Sequence, residues 1–280
     1  MNFHQLPTKH VDQISLNVSN LDRSISFYEE ILAFKVLENN EREAILSFDG
    51  KTPVLTLVVP DNVAPINYRN TGLYHVAYLL PSRKDLADCV FYFINKRIPV
   101  QGASDHGVSE AFYLADPDGN GIEIYADRHP DQWRWSGSLV NMVTEPMQIE
   151  DLLTERSEEG WKGCPEDTVI GHVHLQVDNL KPIREFYIDL LQFDVVAEYG
   201  PQALFISDQK YHHHIALNIW HSSGGNKKKE NEVGLNWYSI KMTEDEREKI
   251  KSSLEQAGYM VIEENNRYIV EDPAGITIHF

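Results

Sequence analysis

Apolar and polar residues alternate along Gln13-Ile14-Ser15-Leu16-Asn17-Val18, so an extended segment here puts Ile14, Leu16 and Val18 on one face and Gln13, Ser15 and Asn17 on the other. His172-Val173-His174-Leu175-Gln176-Val177 repeats the pattern, with both histidines and Gln176 on the polar face. His75 alternates with Val76, and Glu123 stands between Ile122 and Ile124. The period changes to a helical one over 22–32 and again over 83–96. The first unit therefore reads as a strand over 14–18, a helix, and strands near 34–38, 43–48 and 54–59. A second unit runs from a strand at 73–80 through the helix at 83–96 to a strand at 122–125.

Comparison of the chain with itself organises these units. Ser19-Asn20-Leu21 through Phe27-Tyr28 to Ile31-Leu32-Ala33-Phe34 reappears as Asp178-Asn179-Leu180 through Phe186-Tyr187 to Leu190-Leu191-Gln192-Phe193. Asp116-Pro117 recurs at Asp272-Pro273, and Gly72-Leu73 at Gly234-Leu235. The expected fold is α+β, with four βαβββ modules paired into two domains of curled mixed sheets. Residues 1–128 form the first domain of two modules, 129–168 a connection with a short helix near 149–155, and 169–280 the second domain of two modules. Helices cover the apolar faces of the sheets, and the polar faces line clefts.

The 280 residues, 42% of them hydrophobic, suffice for a core and two domains of ordinary size. With 43 acidic against 25 basic residues the net charge is −18, which argues against nucleic-acid or anionic-membrane partners. The one basic run, Lys227-Lys228-Lys229, sits beside glycine in an expected loop. No signal-like or membrane-spanning apolar stretch is present, so a cytoplasmic location is expected. Two cysteines, Cys89 and Cys164, are too few for a disulfide framework or a thiolate metal cluster.

Candidate chemistry concentrates between His106 and Glu123. Asp116-Pro117-Asp118-Gly119 is a turn, with proline presetting φ and glycine tolerating φ > 0, so the strand through Phe112-Tyr113-Leu114 returns as Gly121-Ile122-Glu123-Ile124-Tyr125. Glu123 thus falls mid-strand on the polar face. If the sheets curl, Gln13, His75 and Glu123 converge in one cleft, and an amide oxygen, an imidazole and a carboxylate suit a borderline divalent cation with open positions.

The motifs Gly-Leu-Tyr-His-Val-Ala (72–77), Gly-Ala-Ser-Asp-His-Gly-Val-Ser-Glu-Ala (102–111), Asp-Pro-Asp-Gly-Asn-Gly-Ile-Glu-Ile-Tyr (116–125) and Tyr-His-His-His-Ile-Ala-Leu-Asn-Ile-Trp (211–220) carry a resemblance. Over essentially its whole length the chain resembles the vicinal oxygen chelate superfamily of glyoxalases, bleomycin-resistance proteins and extradiol dioxygenases, and in particular the bacillar catechol 2,3-dioxygenase group. His106, Phe112, Tyr113, Pro117, Gly119 and Glu123 fill the extradiol signature; Ser104 departs from it. The resemblance implies a metal-dependent extradiol dioxygenase taking a catechol-like substrate and dioxygen. It implies Fe(II), with Mn(II), Zn(II) or Ni(II) as alternatives, held by two histidines and a glutamate. His75 and Glu123 match two of these ligands, and Gln13 stands where the third is a histidine. His4 and His10 are nearby alternatives to Gln13. His106 would handle the proton and Tyr113 would hydrogen-bond the substrate oxygen.

In the repeat, His172 replaces Gln13, His214 replaces Thr56, Trp237 replaces His75 and His279 replaces Glu123. His172, His214 and His279 are therefore a candidate second metal site, not accompanied by the histidine-tyrosine signature. Two other function classes remain open: a glyoxalase-like isomerase or lyase, disfavoured by Thr56 where a second glutamate is expected, and a metal-independent protein that binds aromatic molecules. A homo-oligomer is left open.

Overall fold

The computed structural model describes residues 2–280. The first module contains β1 (His10–Asn17), α1 (Leu21–Leu32), β2 (Lys35–Asn39), β3 (Glu43–Ser47) and β4 (Leu55–Val58). The second contains β5 (Gly72–Leu79), α2 (Arg83–Lys96), β6 (Gly102–Asp105), β7 (Ser109–Ala115) and β8 (Gly121–Asp127). The connection carries short strands β9 (Trp135–Ser136), β10 (Leu139–Val140) and β11 (Glu145–Pro146), and the expected short helix, α3 (Ile149–Leu152). The third module has β12 (Val169–Gln176), α4 (Leu180–Arg184) running on into a π-helical turn over Glu185–Leu190, β13 (Asp194–Tyr199), β14 (Ala203–Ser207) and β15 (Ile215–Asn218). The fourth has β16 (Gly234–Lys241), α5 (Glu244–Gln256), β17 (Ile262–Glu264), β18 (Arg267–Glu271) and β19 (Thr277–His279).

The repeated Asn-Leu…Phe-Tyr…Phe motif has a physical role in both copies. Asn20 caps α1 by accepting from the Arg23 amide, and Asn179 caps α4 by accepting from the Lys181 amide. Ala33 and Gln192 then turn the chain through the left-handed region, with φ 56° and 59°, which points Phe34 and Phe193 into the core. Tyr28 and Tyr187 are fully buried, and their hydroxyls donate to Asp116 and Asp272 of the two Asp-Pro turns at 3.4 Å and 3.0 Å. Each of these bonds ties the two modules of one half together.

The sheets are assembled differently. One runs β17-β18-β19-β16-β1-β4-β3-β2 and the other β11-β6-β7-β8-β5-β12-β15-β14-β13. Both are mixed, as expected, and the four modules make two paired units. However, the pairing crosses the two halves: β1 lies antiparallel to β16, and β5 antiparallel to β12. The expectation that the modules of 1–128 share one sheet and those of 169–280 the other is corrected. Every module offers the same kind of first-strand edge, so the periodicity fits either partnership. Ile14 and Leu16 of one sheet and Val173 and Leu175 of the other belong to one continuous apolar core, and their polar neighbours face two separate clefts.

Candidate metal centre

Three strands of the second sheet deliver one candidate ligand each. His75 comes from β5, Glu123 from β8 and His172 from β12, all buried, with potential ligand atoms within 4.8 Å of one another. Register explains the meeting. Glu123 is level with Ala77 in the parallel β5–β8 pair, and Ala77 is level with His172 in the antiparallel β5–β12 pair. The methyl of Ala77 leaves the space across which the carboxylate and the imidazole approach. An irregularity between Ile170 and His172 adjusts β12 at that point. Gly121 admits β5 on the other side, since a side chain there would run into the Tyr74 carbonyl and crowd His75.

The donors fit a divalent metal. His75 Nε2 and His172 Nε2 stand 2.9 Å and 3.3 Å from Glu123 Oε2. Ligand atoms about 2.1 Å from a common cation and in adjacent positions sit roughly 3 Å apart, so these spacings are those of a chelate. Despite its distance from Glu123, His75 Nε2 makes no hydrogen bond although it is buried. A metal held between the three side chains would satisfy it. Burial pushes His172 down to about 4. Burial acts upward on Glu123, but His172 and His75 hold its carboxyl well below the usual range. Two histidines with one carboxylate leave open positions of the kind used by non-haem Fe(II) oxygenases.

His106 and Tyr113 are brought together beside the ligands. Tyr113 is level with Glu123 across β7–β8. His106 Nδ1 lies 2.8 Å from the Val143 carbonyl, which only accepts, so this nitrogen carries the proton and Nε2 accepts from the Tyr113 hydroxyl at 2.6 Å. Burial and the Glu123 charge push the Tyr113 phenol up, so it remains an O–H donor.

The remaining sequence candidates lie elsewhere. Gln13 belongs to the other sheet, where its side-chain oxygen accepts from Arg267 at 3.2 Å; it is not a partner of His75 and Glu123, because β1 is paired with β16. His172 takes the place expected for it. His4 and His10 are spent on the carbonyls of Gly171 and Thr8. The second site does not assemble. His214 accepts from the Asp208 amide and donates to the Phe3 carbonyl, and His279 stacks on Trp237 with centroids 4.4 Å apart, in the other cleft.

Two further imidazoles were missed as site residues. His174 is opposite His75 and accepts from Asn218 at 2.9 Å, and burial holds it well below the usual range. His213 packs against His172, with centroids 4.1 Å apart and the rings tilted by 47°. The polar parity of 172–176 held the signal for His172 and His174, but only the correct strand partner assigns it to this cleft. The site opens into a cavity of about 750 Å³ walled by Tyr74, Phe205, Tyr199 and Trp220 and by His106, Tyr113 and His213. Cys89 and Cys164 are both free and buried, away from it. No helix among the described residues is long and apolar enough to cross a membrane.

Comparisons with known proteins bear on this arrangement. The model of the Glyoxalase/Bleomycin resistance protein/Dioxygenase superfamily matches residues 10–124 and 169–280. The chain is 42% identical to catechol-2,3-dioxygenase of Bacillus subtilis over 269 residues, 94% of either chain. It is 25% identical to biphenyl-2,3-diol 1,2-dioxygenase 2 of Rhodococcus globerulus, over 57% of this chain and 85% of that one. In fold it is similar to a putative dioxygenase from Bacillus subtilis, with TM-score 0.64 at 13% identity, covering 97% of this chain and 84% of that chain. It is also similar in fold to glyoxalase I from Zea mays, with TM-score 0.56 at 16% identity, covering 97% of this chain and 91% of that chain.

Proposed function

The chain belongs to the glyoxalase, bleomycin resistance protein and dioxygenase superfamily, and from that premise we propose that it is a metal-dependent extradiol dioxygenase opening the ring of a catechol-type substrate. The observation that carries this reading is the convergence of His75, Glu123 and His172 beside the His106–Tyr113 pair, within one aromatic-walled cavity.

His75, Glu123 and His172 would hold the metal, with Fe(II) the ion best suited to two imidazoles, one carboxylate and open positions. When bound, the metal lowers the pKa of the substrate hydroxyl and brings the diol and dioxygen to one centre. The chain's own residues do the rest. Tyr74, His174 and Trp220 form a continuous aromatic wall, with centroid separations of 4.9 to 5.3 Å, against which a planar ring packs. The Tyr113 oxygen, whose proton is held by His106 Nε2, accepts from a substrate hydroxyl. His106 stands behind it and takes or returns a proton at Nε2, while the Val143 carbonyl keeps its ring oriented. Burial of the ligands excludes bulk water and strengthens each of these interactions.

The test is turnover by anaerobically prepared, Fe(II)-loaded protein on a panel of substituted catechols, followed by oxygen uptake and the yellow colour of ring-fission product. Catechol-dependent oxygen consumption with that product supports the reading. Consumption of a hemithioacetal without oxygen would make the protein an isomerase, and catechol binding that survives chelation of all metal would make it a binding protein.

A further inference from the structure

The cleft of the other sheet is a counterpart of the first with its chemistry changed. Gln13, Ser239 and His279 are level across β1, β16 and β19, as His172, Ala77 and Glu123 are across β12, β5 and β8. Trp237 stands where the first cleft has His75. Ile269 of β18 is level with His279, and strand alternation brings Arg267 onto the same face. The opposite face is packed into the core through Tyr238, Ile278 and Val270, whereas Gln13, Trp237, Arg267 and His279 stay half-buried, so this face is open.

Two polar groups on this face lack the partners a closed structure would give them. Arg247, bonded to the Asn266 carbonyl, has Glu244 as its counter-ion at 3.2 Å. Arg267 next to it has none: its guanidinium donates to Gln13 Oε1 at 3.2 Å, and among the described residues no carboxylate lies within ion-pair distance, in a chain with 43 acidic residues. Glu264 and Glu271 share its face without pairing with it, and Asp12 accepts instead from the Ser239 hydroxyl at 2.5 Å. Arginine only donates, so the Gln13 amide turns its oxygen to Arg267 and leaves the hydrogens of its nitrogen unengaged. His279 Nδ1 is buried with no hydrogen-bond partner, and its ring stacks on Trp237 with centroids 4.4 Å apart and planes 12° apart. The guanidinium stands 6.0 Å from the Trp237 centroid. A guanidinium without a counter-ion, free amide hydrogens and a flat aromatic surface together complement a planar monoanion, whose two oxygens suit the fork and whose ring suits the wall. We propose that this cleft binds a small aromatic carboxylate, with its oxygens on Arg267 and the Gln13 amide and its ring against the Trp237–His279 pair. The site needs no metal and does not rest on the dioxygenase reading.

The probe is 4-fluorobenzoate, followed by fluorine NMR of the ligand and by the tryptophan indole N–H signals of nitrogen-labelled, Zn(II)-loaded protein, assigned with Trp237→Phe and Trp220→Phe. Saturable binding with a Kd of about 1 mM or tighter should shift the Trp237 signal and leave that of Trp220, which lines the first cavity, in place. Arg267→Ala and Arg267→Gln should each weaken binding roughly tenfold or more, the usual worth of hydrogen bonds to a charged group, with unmoved indole signals elsewhere as the check on folding. His75→Ala should bind the probe as the wild-type protein does. The neutral 4-fluorobenzamide should bind at least about tenfold more weakly. Absence of saturable binding up to about 10 mM, a shift confined to Trp220, or full affinity in both Arg267 variants overturns the proposal. Equal affinity for the benzamide overturns it as well, and displacement of the probe by an equal concentration of inorganic phosphate overturns the carboxylate assignment.

Discussion

Removing the His172 imidazole should cost the protein its metal as completely as removing His75, because each supplies one of three converging ligand atoms. Gln13→Ala should leave metal content unchanged, since that side chain faces Arg267 in the other sheet. Elemental analysis of His75→Ala, His172→Ala, Glu123→Ala and Gln13→Ala after Fe(II) loading checks both statements; metal lost on changing Gln13 and kept on changing His172 would reverse the assignment. His106→Phe tests the proton-handling role. It should keep metal and catechol binding while turnover falls by roughly 10²–10⁴, the usual worth of one general acid or base. Stopped-flow turnover beside equilibrium binding separates the two effects.

At the level of strands, the site depends on what is small. Ala77 is fully buried between Glu123 and His172 in register, and Gly121 lets β5 and β8 approach behind His75. Ala77→Leu should therefore separate carboxylate from imidazole. Overpacking of this kind costs about 1–3 kcal/mol, which a folded core of this size survives, so the fold should persist with weakened metal binding. Urea unfolding paired with a metal titration reads the two quantities, and unchanged metal affinity in a well-folded Ala77→Leu protein would show that the gap is not needed.

For the molecule as a whole, cross-half pairing places His75 and Glu123 in one half of the chain and His172 in the other. Separately expressed fragments 1–128 and 129–280 should each present two long unpaired strand edges, which seek partners. Mixed, they should recombine and recover metal binding that neither has alone, as co-purification and metal analysis would show. The buried Asp272 gives the fold a pH dependence. Burial raises its carboxyl from 3.8 to about 7, so the folded protein holds this proton more tightly than the unfolded chain. The stabilisation is full below about pH 4 and is lost as pH rises through about 7, with a ceiling of about 4 kcal/mol at 1.4 kcal/mol per unit. Asp272→Asn should flatten that part of the profile, gaining on the wild-type protein between pH 4 and 8 in denaturant midpoints.

The alternation around Gln13, His75, Glu123 and His172, the two helical stretches, the Asp-Pro turns and the repeated capping motif each follow from contacts a few residues apart, and so the modules, their number and the polar faces of the first strands of three of them were legible in the sequence alone. His75, Glu123, His106 and Tyr113 were legible for the same reason, since all four lie within one module. The third candidate ligand was not. His172 and Gln13 occupy equivalent positions in equivalent strands, and which of them reaches Glu123 depends on whether β12 or β1 pairs with β5. That choice is made between edges far apart in the chain by the packing of the whole core, and a period of two along one strand holds no information about its neighbour.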